Sequence, residues 1–309
     1  MRYAAHDPFI AAARARPALW RLVLGTVLVL ICFALFPLPL FGLVVLIGGT
    51  EALRDLFRSL VAIDTPGATL LVLMLFAGMV LGTALAVRLL HRRGAASLFG
   101  PWPRLWRHFL IATAIALAVF ALSLLIPSDV PVSENLPPQL WALFLMSGLA
   151  ALLLQTGAEE MLFRGYLQQQ LAARFRSPLA WAVLPSGLFA IGHPPPPELG
   201  AQGWLLVLLP GLFGLLAADL TAATGSLGAA WGFHFANNMV SLLAVGVSGQ
   251  ITGLALYVAE VDLSDTRALL GLMASAALTT LAIWAAIRFA LTRRRRVPAD
   301  AATTPAASD

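Results

Sequence analysis

Three ionisable side chains, Glu159, Glu160 and Arg164, stand within six positions of one another beside the apolar run Leu140–Leu154. In hydrocarbon each such group costs roughly 2.5–3.5 kcal/mol unless it is paired or faces a wet cavity. On a helix Glu160 and Arg164 are i,i+4 neighbours and pair along one face, while Glu159 is turned about 100° away. The same spacing recurs in Phe189 and His193, and again in His234 and Asn238. It lets the Phe189 ring buttress the His193 imidazole, and lets His234 and Asn238 point at one spot from a single helix.

These residue types divide the labour of a hydrolysis. Glu159 and His193, free of local partners, can hold and deprotonate a water. His234 and Asn238 can donate hydrogen bonds to an oxyanion forming on a carbonyl, with Asn237 beside Asn238 as a local ambiguity. Arg164 keeps Glu160 an anion. The sum is water attacking a peptide carbonyl within a membrane. Taken singly, each element has a structural alternative. Glu160 with Arg164 can be a plain ion pair, His193 before Pro194–Pro197 a helix-end cap, and His234 with Asn238 an interhelical hydrogen-bonding pair. Asp219 reads as a packing or terminus group, and His6, His91 and His108, beside arginines at membrane edges, are expected to be solvated.

The elements that must position these groups are membrane helices. The 309 residues are 60% hydrophobic and 11% charged, where soluble domains carry about 25% charged residues. All 20 basic residues are Arg and lie between apolar runs or in the tail. The net charge of +5 therefore speaks for topology signals and anionic-lipid contacts rather than for nucleic acid. The single Cys32 excludes an intrachain disulfide. Apolar runs at 22–47, 68–90, 108–126, 140–168, 178–193, 204–222, 227–248 and 268–291 predict an all-α polytopic bundle of about eight transmembrane helices. Arginine concentrates in 2–21, 88–107, 174–176 and 293–296, while acidic residues dominate the alternate loops, which predicts both termini in the cytoplasm.

The chain then divides into a cytoplasmic segment over 1–21 suited to an interfacial helix, three accessory helices in 22–126, a core over 139–248, a last helix at 268–291 and a basic, then disordered, tail over 292–309. Helical rise puts His234 about 10 Å, Glu159 about 14 Å and His193 about 22 Å from the same surface. They meet only if the fifth helix tilts or starts below that surface.

Glu159-Glu160-x-x-x-Arg164, Phe189-x-x-x-His193 and His234-x-x-x-Asn238 resemble, in that order, the three motifs of the CPBP family. That family groups CAAX prenyl endopeptidases of the second type with bacterial bacteriocin-processing and immunity-type membrane proteins. The resemblance covers residues from about 140 to 245, a third of the chain. It implies a multi-span helical peptidase in which Glu159 and His193 activate water, His234 and Asn238 stabilise the oxyanion, and Glu160, Arg164 and Phe189 support them. Its substrate would be a membrane-associated protein or peptide, and its place the lipid bilayer of a bacterial inner membrane. A divalent metal such as zinc would take Glu159, His193 and His234 as ligands with a fourth position open. No His-Glu-x-x-His run occurs, and a metal-free glutamate mechanism accounts better for Asn238. The competing readings are a catalytically silent scaffold or immunity-type protein, and a proton-coupled transporter, which lacks the expected repeat.

Overall fold

The computed structural model describes residues 3–293. The tail expected over 292–309 thus lies, beyond Arg293, outside the described residues. The chain is helical almost throughout, as α1 (His6–Ile10), α2 (Leu19–Leu35), α3 (Leu38–Ala62), α4 (Pro66–Leu89), α5 (Trp102–Ser123) and α6 (Pro138–Arg174), followed by α7 (Leu179–Ile191), α8 (Pro197–Thr224), α9 (Gly228–Met239) and α10 (Thr266–Thr292). Prolines open α4, α5 and α6, where the missing N–H costs nothing.

Among the described residues six helical stretches are long and apolar enough to cross a bilayer, by length and composition. Of the eight runs read from sequence, 178–193 and 227–248 fall short. Pro194–Pro197 halts α7 after Ile191, and α9 passes through the wider π-helical turn Val240–Ala244 into a strand. The first stretch, Leu19–Ala62, is not one rod. Gly49 takes a left-handed φ of 71°, and the rings of Phe41 and Phe57 lie 5.0 Å apart, where a straight helix would separate them by about 24 Å.

Close helix approach rests on glycine at two places. On α4, a Cβ at Gly78 or Gly82 would collide with Phe36 or with the Val29 backbone of α2, so the Gly78-x-x-x-Gly82 pair seats those two helices. On α9, a Cβ at Gly228 or Gly232 would fall 2.1–2.2 Å from the Leu105 and Phe109 carbonyl oxygens of α5.

The arginine-bearing segments around 14–21, 88–107 and 174–176 gather at one end of the bundle. There Leu227 donates its backbone N–H to the Phe99 carbonyl at 3.1 Å. At the other end the loops before α6 and after α9 form a three-stranded sheet, β1 (Val132–Glu134), β2 (Val245–Val247) and β3 (Tyr257–Ala259), in the order β1-β3-β2. Strands of three residues leave no alternation to read, and β2 was hidden inside the apolar run 227–248.

The N-terminal segment is packed into the protein. Phe9 and Ile10 are buried in one cluster with Leu105, Phe109, Leu227 and Trp231. His6 lies 4.7 Å from the Trp181 ring, and burial lowers its pKa to about 4. His6 and His91 are buried, against the expectation that both are solvated. The Tyr3 hydroxyl donates to Asp219 at 2.7 Å, and Trp284 and Arg288 of α10 donate to the other Asp219 oxygen at 3.0 and 2.9 Å. Asp219 is therefore a packing hub.

Candidate active site

The site forms where α6, α8 and α9 meet the end of α7. Glu159 and Glu160 close the regular part of α6, and the next eight residues, Met161–Gln168, widen into a π-helix, a local device common at functional sites. Gly157 lies under the Trp231 ring, where a Cβ would sit 2.7 Å away. Trp231 also donates to the Thr156 hydroxyl at 3.1 Å. Together these contacts clamp α6 to α9 one turn from the carboxylates.

Glu160 is fully buried and Arg164 is 2% exposed. Arg164 Nη1 donates to Glu160 Oε1 at 2.9 Å, and its guanidinium stacks over Phe189 at 4.7 Å and Phe213 at 5.5 Å, adding cation–π attraction in a desolvated setting. His234 Nδ1 donates to the same Glu160 oxygen at 2.8 Å. The opposite ring nitrogen, His234 Nε2, faces Glu159 Oε2 at 3.4 Å. One imidazole thus stands between the two adjacent carboxylates. Sequence spacing had turned Glu159 away from Glu160, and it is the histidine of another helix that joins them.

Asn238 lies one turn further along α9. Its Nδ2 donates to Gln155 Oε1 of α6 at 2.9 Å, which leaves the second amide hydrogen free. His193 follows the end of α7. Its Nδ1–H donates to the Phe189 carbonyl at 2.7 Å, which leaves Nε2 as the nitrogen facing away from the backbone, and the residue is exposed. The Phe189 ring lies between the histidines, 4.5 Å from His193 and 5.9 Å from His234. The structure therefore brings Glu159, Glu160, Arg164 and His234 into one cluster. It sets Asn238 beside that cluster and His193 across Phe189 from it.

Glu159 Oε2, Glu160 Oε2 and Arg164 Nη2 are buried without a hydrogen-bond partner among the described residues, so the cluster keeps acceptor and donor capacity in reserve. Among the described residues no group of three His, Cys, Asp or Glu side chains, Glu159, His193 and His234 included, is placed to share an ion. Two contributors escaped the sequence reading. Gln155, four residues before Glu159, shares its helical face and was findable by spacing. Phe213 of α8, 4.8 Å from the His234 ring, carried no local signal.

Residues 137–240 match the family described as type II CAAX prenyl endopeptidase Rce1-like. The matched span contains all seven residues of the three motifs. The chain is also 27% identical over 177 residues to the uncharacterized protein YyaK of Bacillus subtilis (strain 168), a match covering 56% of this chain and 59% of that protein. The chain thus spans under two thirds of that relative's length. No solved structure matches.

Proposed function

We propose that this integral membrane protein is an intramembrane endopeptidase of the glutamate type, hydrolysing a peptide bond of a membrane-associated protein or peptide in a bacterial inner membrane. The observation that carries this reading is the placement of His234 between Glu159 and Glu160. Two carboxylates, one guanidinium and one imidazole sum to zero net charge when a single proton is held between Glu159 and His234. A buried cluster favours that balance, because an uncompensated charge there is expensive.

Glu160, fixed by Arg164, anchors the Nδ1–H of His234 and turns Nε2 toward the reacting centre. The 3.4 Å contact between Nε2 and Glu159 exceeds the usual N–H···O range, so a developing oxyanion competes for that donor. Glu159 then takes a proton from water, which His193, reached past the edge of the Phe189 ring, helps to hold. The resulting hydroxide adds to the carbonyl carbon. The oxyanion accepts from His234 Nε2–H and from the free Asn238 Nδ2–H. As the C–N bond breaks, the proton held by Glu159 passes to the departing amine, giving one carboxyl and one amino product.

The test is cleavage by purified protein in liposomes of peptides drawn from a membrane proteome. Glu159→Gln and His193→Ala are expected to abolish cleavage with folded yield unchanged. Cleavage at the parent rate in both variants would sink the proposal.

A further inference from the structure

Where α2 begins and α4 ends, four guanidinium groups gather without an acid among them. His91 Nδ1–H donates to the Arg16 carbonyl at 3.1 Å, and Arg21 Nη1 donates to the Leu90 carbonyl at 2.7 Å. These two bonds fix the segment Arg16–Arg21 against the turn Leu90–Arg93. The charges are close enough to act on one another. Burial lowers the His91 pKa, opposed by the bond to the Arg16 carbonyl and aided by Arg93, Arg21 and Arg16. Arg16 is depressed in turn by desolvation and then by Arg92 and Arg21. Among the described residues none of Arg16, Arg21, Arg92 and Arg93 forms an ion pair.

Two further features single out this turn. Arg92 has a φ of 51°, in the left-handed region where glycine is the unstrained choice, and its side chain is exposed. An arginine is thus kept where the backbone alone would favour glycine. Arg93, by contrast, is 9% exposed. Its Nη1 donates to Gln169 Oε1 at 2.6 Å and to Ser97 Oγ at 3.1 Å. Its Nε and Nη2, the lateral fork of the guanidinium, are buried with no hydrogen-bond partner among the described residues. That fork matches two oxygens of one phosphate group.

The surface beside the charges is apolar. Leu19, Trp20 and Val23 on α2 and Leu89 on α4 are all exposed, and the Trp20 ring carries the Arg21 guanidinium at 4.6 Å, an arrangement suited to the membrane–water interface. We propose that Arg16, Arg21, Arg92 and Arg93 form a binding site for the phosphate of an anionic phospholipid, whose acyl chains lie along Trp20, Val23 and Leu89. The phosphate supplies the negative charge that the cluster lacks, with the Arg93 fork as the innermost pair of donors. A free phosphate ion would satisfy the guanidiniums but leave the apolar surface uncovered. Neither Glu159 nor His234 takes part, so the site stands apart from peptidase activity.

The test titrates purified full-length protein in neutral detergent with phosphatidylglycerol, phosphatidylcholine and inorganic phosphate. Native mass spectrometry reads binding, and thermal unfolding reads the stabilisation that binding brings. The parent protein should prefer phosphatidylglycerol to phosphatidylcholine by at least about tenfold, and millimolar phosphate should not displace the lipid. Arg16→Gln and Arg92→Gly should each weaken phosphatidylglycerol binding about fivefold, the worth of one arginine beside an anionic headgroup. Arg92→Gly without lipid should unfold no earlier than the parent, since glycine relieves the left-handed φ. Arg267→Gln removes the same charge at the start of α10 and should leave binding unchanged. Unaltered phosphatidylglycerol binding in both Arg16→Gln and Arg92→Gly, or an equal loss in Arg267→Gln, would overturn the site. Displacement of the lipid by millimolar phosphate would overturn its assignment to a phospholipid.

Discussion

His234 donates its Nδ1–H to Glu160 Oε1 at 2.8 Å, and that oxygen is the one that also accepts from Arg164. A carboxylate shared in this way ties α6 to α9 and settles which imidazole nitrogen faces Glu159. Glu160 is thus more than the counterion of an i,i+4 pair, because the orientation of a ring on another helix depends on it.

Glu159→Gln keeps the shape of the side chain and removes its capacity to take a proton. The expected loss in kcat is on the order of a thousandfold, the mid-range for a positioned general base. Unfolding temperature in detergent should hold steady, since among the described residues Glu159 makes only the long contact to His234. Parallel measurement of peptide cleavage and thermal unfolding checks both halves.

Arg164→Met separates stability from chemistry. Removing one partner of a buried pair costs roughly 3–5 kcal/mol, because the other charge is left uncompensated. The variant should therefore lose folded yield. The double change Glu160→Gln with Arg164→Met should recover much of it while staying inactive, since Gln holds His234 less firmly. Equal instability of single and double variants in a thermal scan would contradict the pairing.

The contacts Glu160–Arg164 and Phe189–His193 were legible because helical spacing is a property of the local chain. The depth problem was not, since it needed the shortness of α7, which stops at Ile191 instead of spanning the bilayer. The insertion of His234 between two carboxylates depends on where α9 crosses α6, and no spacing within either helix encodes that. The same holds for His6, whose flanking arginines suggested water although tertiary packing covers it. The small sheet escaped because three-residue strands carry no periodicity.

The docked N-terminal segment should loosen in acid. Burial lowers the His6 pKa from 6.5 to about 4, opposed by Asp7 and aided by Arg14. Above pH 6.5 His6 is neutral whether docked or released, so nothing is lost. As pH falls toward 4 the released segment binds a proton that the docked one refuses, and docking weakens by roughly 3 kcal/mol. Hydrogen exchange over Tyr3–Ala15 should rise across that window, and His6→Phe should flatten the rise. An unchanged pH profile in His6→Phe would assign the effect to another group.

Gln155 tests whether Asn238 must be held by its nitrogen. Gln155 Oε1 accepts from Asn238 Nδ2 at 2.9 Å, so the amide presents its remaining N–H, and not its oxygen, to the reacting carbonyl. Gln155→Leu removes the acceptor and frees the Asn238 amide to turn over. Losing an oxyanion donor outright costs about 10²–10³ in kcat; a donor free to flip should cost less, on the order of tenfold to a hundredfold. The substituent lies on the α6 face toward Asn238, remote from the Glu160–Arg164 pair, so thermal unfolding should shift little. Gln155→Asn keeps an amide acceptor without adding charge beside Glu159 and should recover part of the kcat, with KM near the parent value in both variants. If Leu and Asn lower kcat equally, Gln155 acts through packing and not by orienting the Asn238 donor.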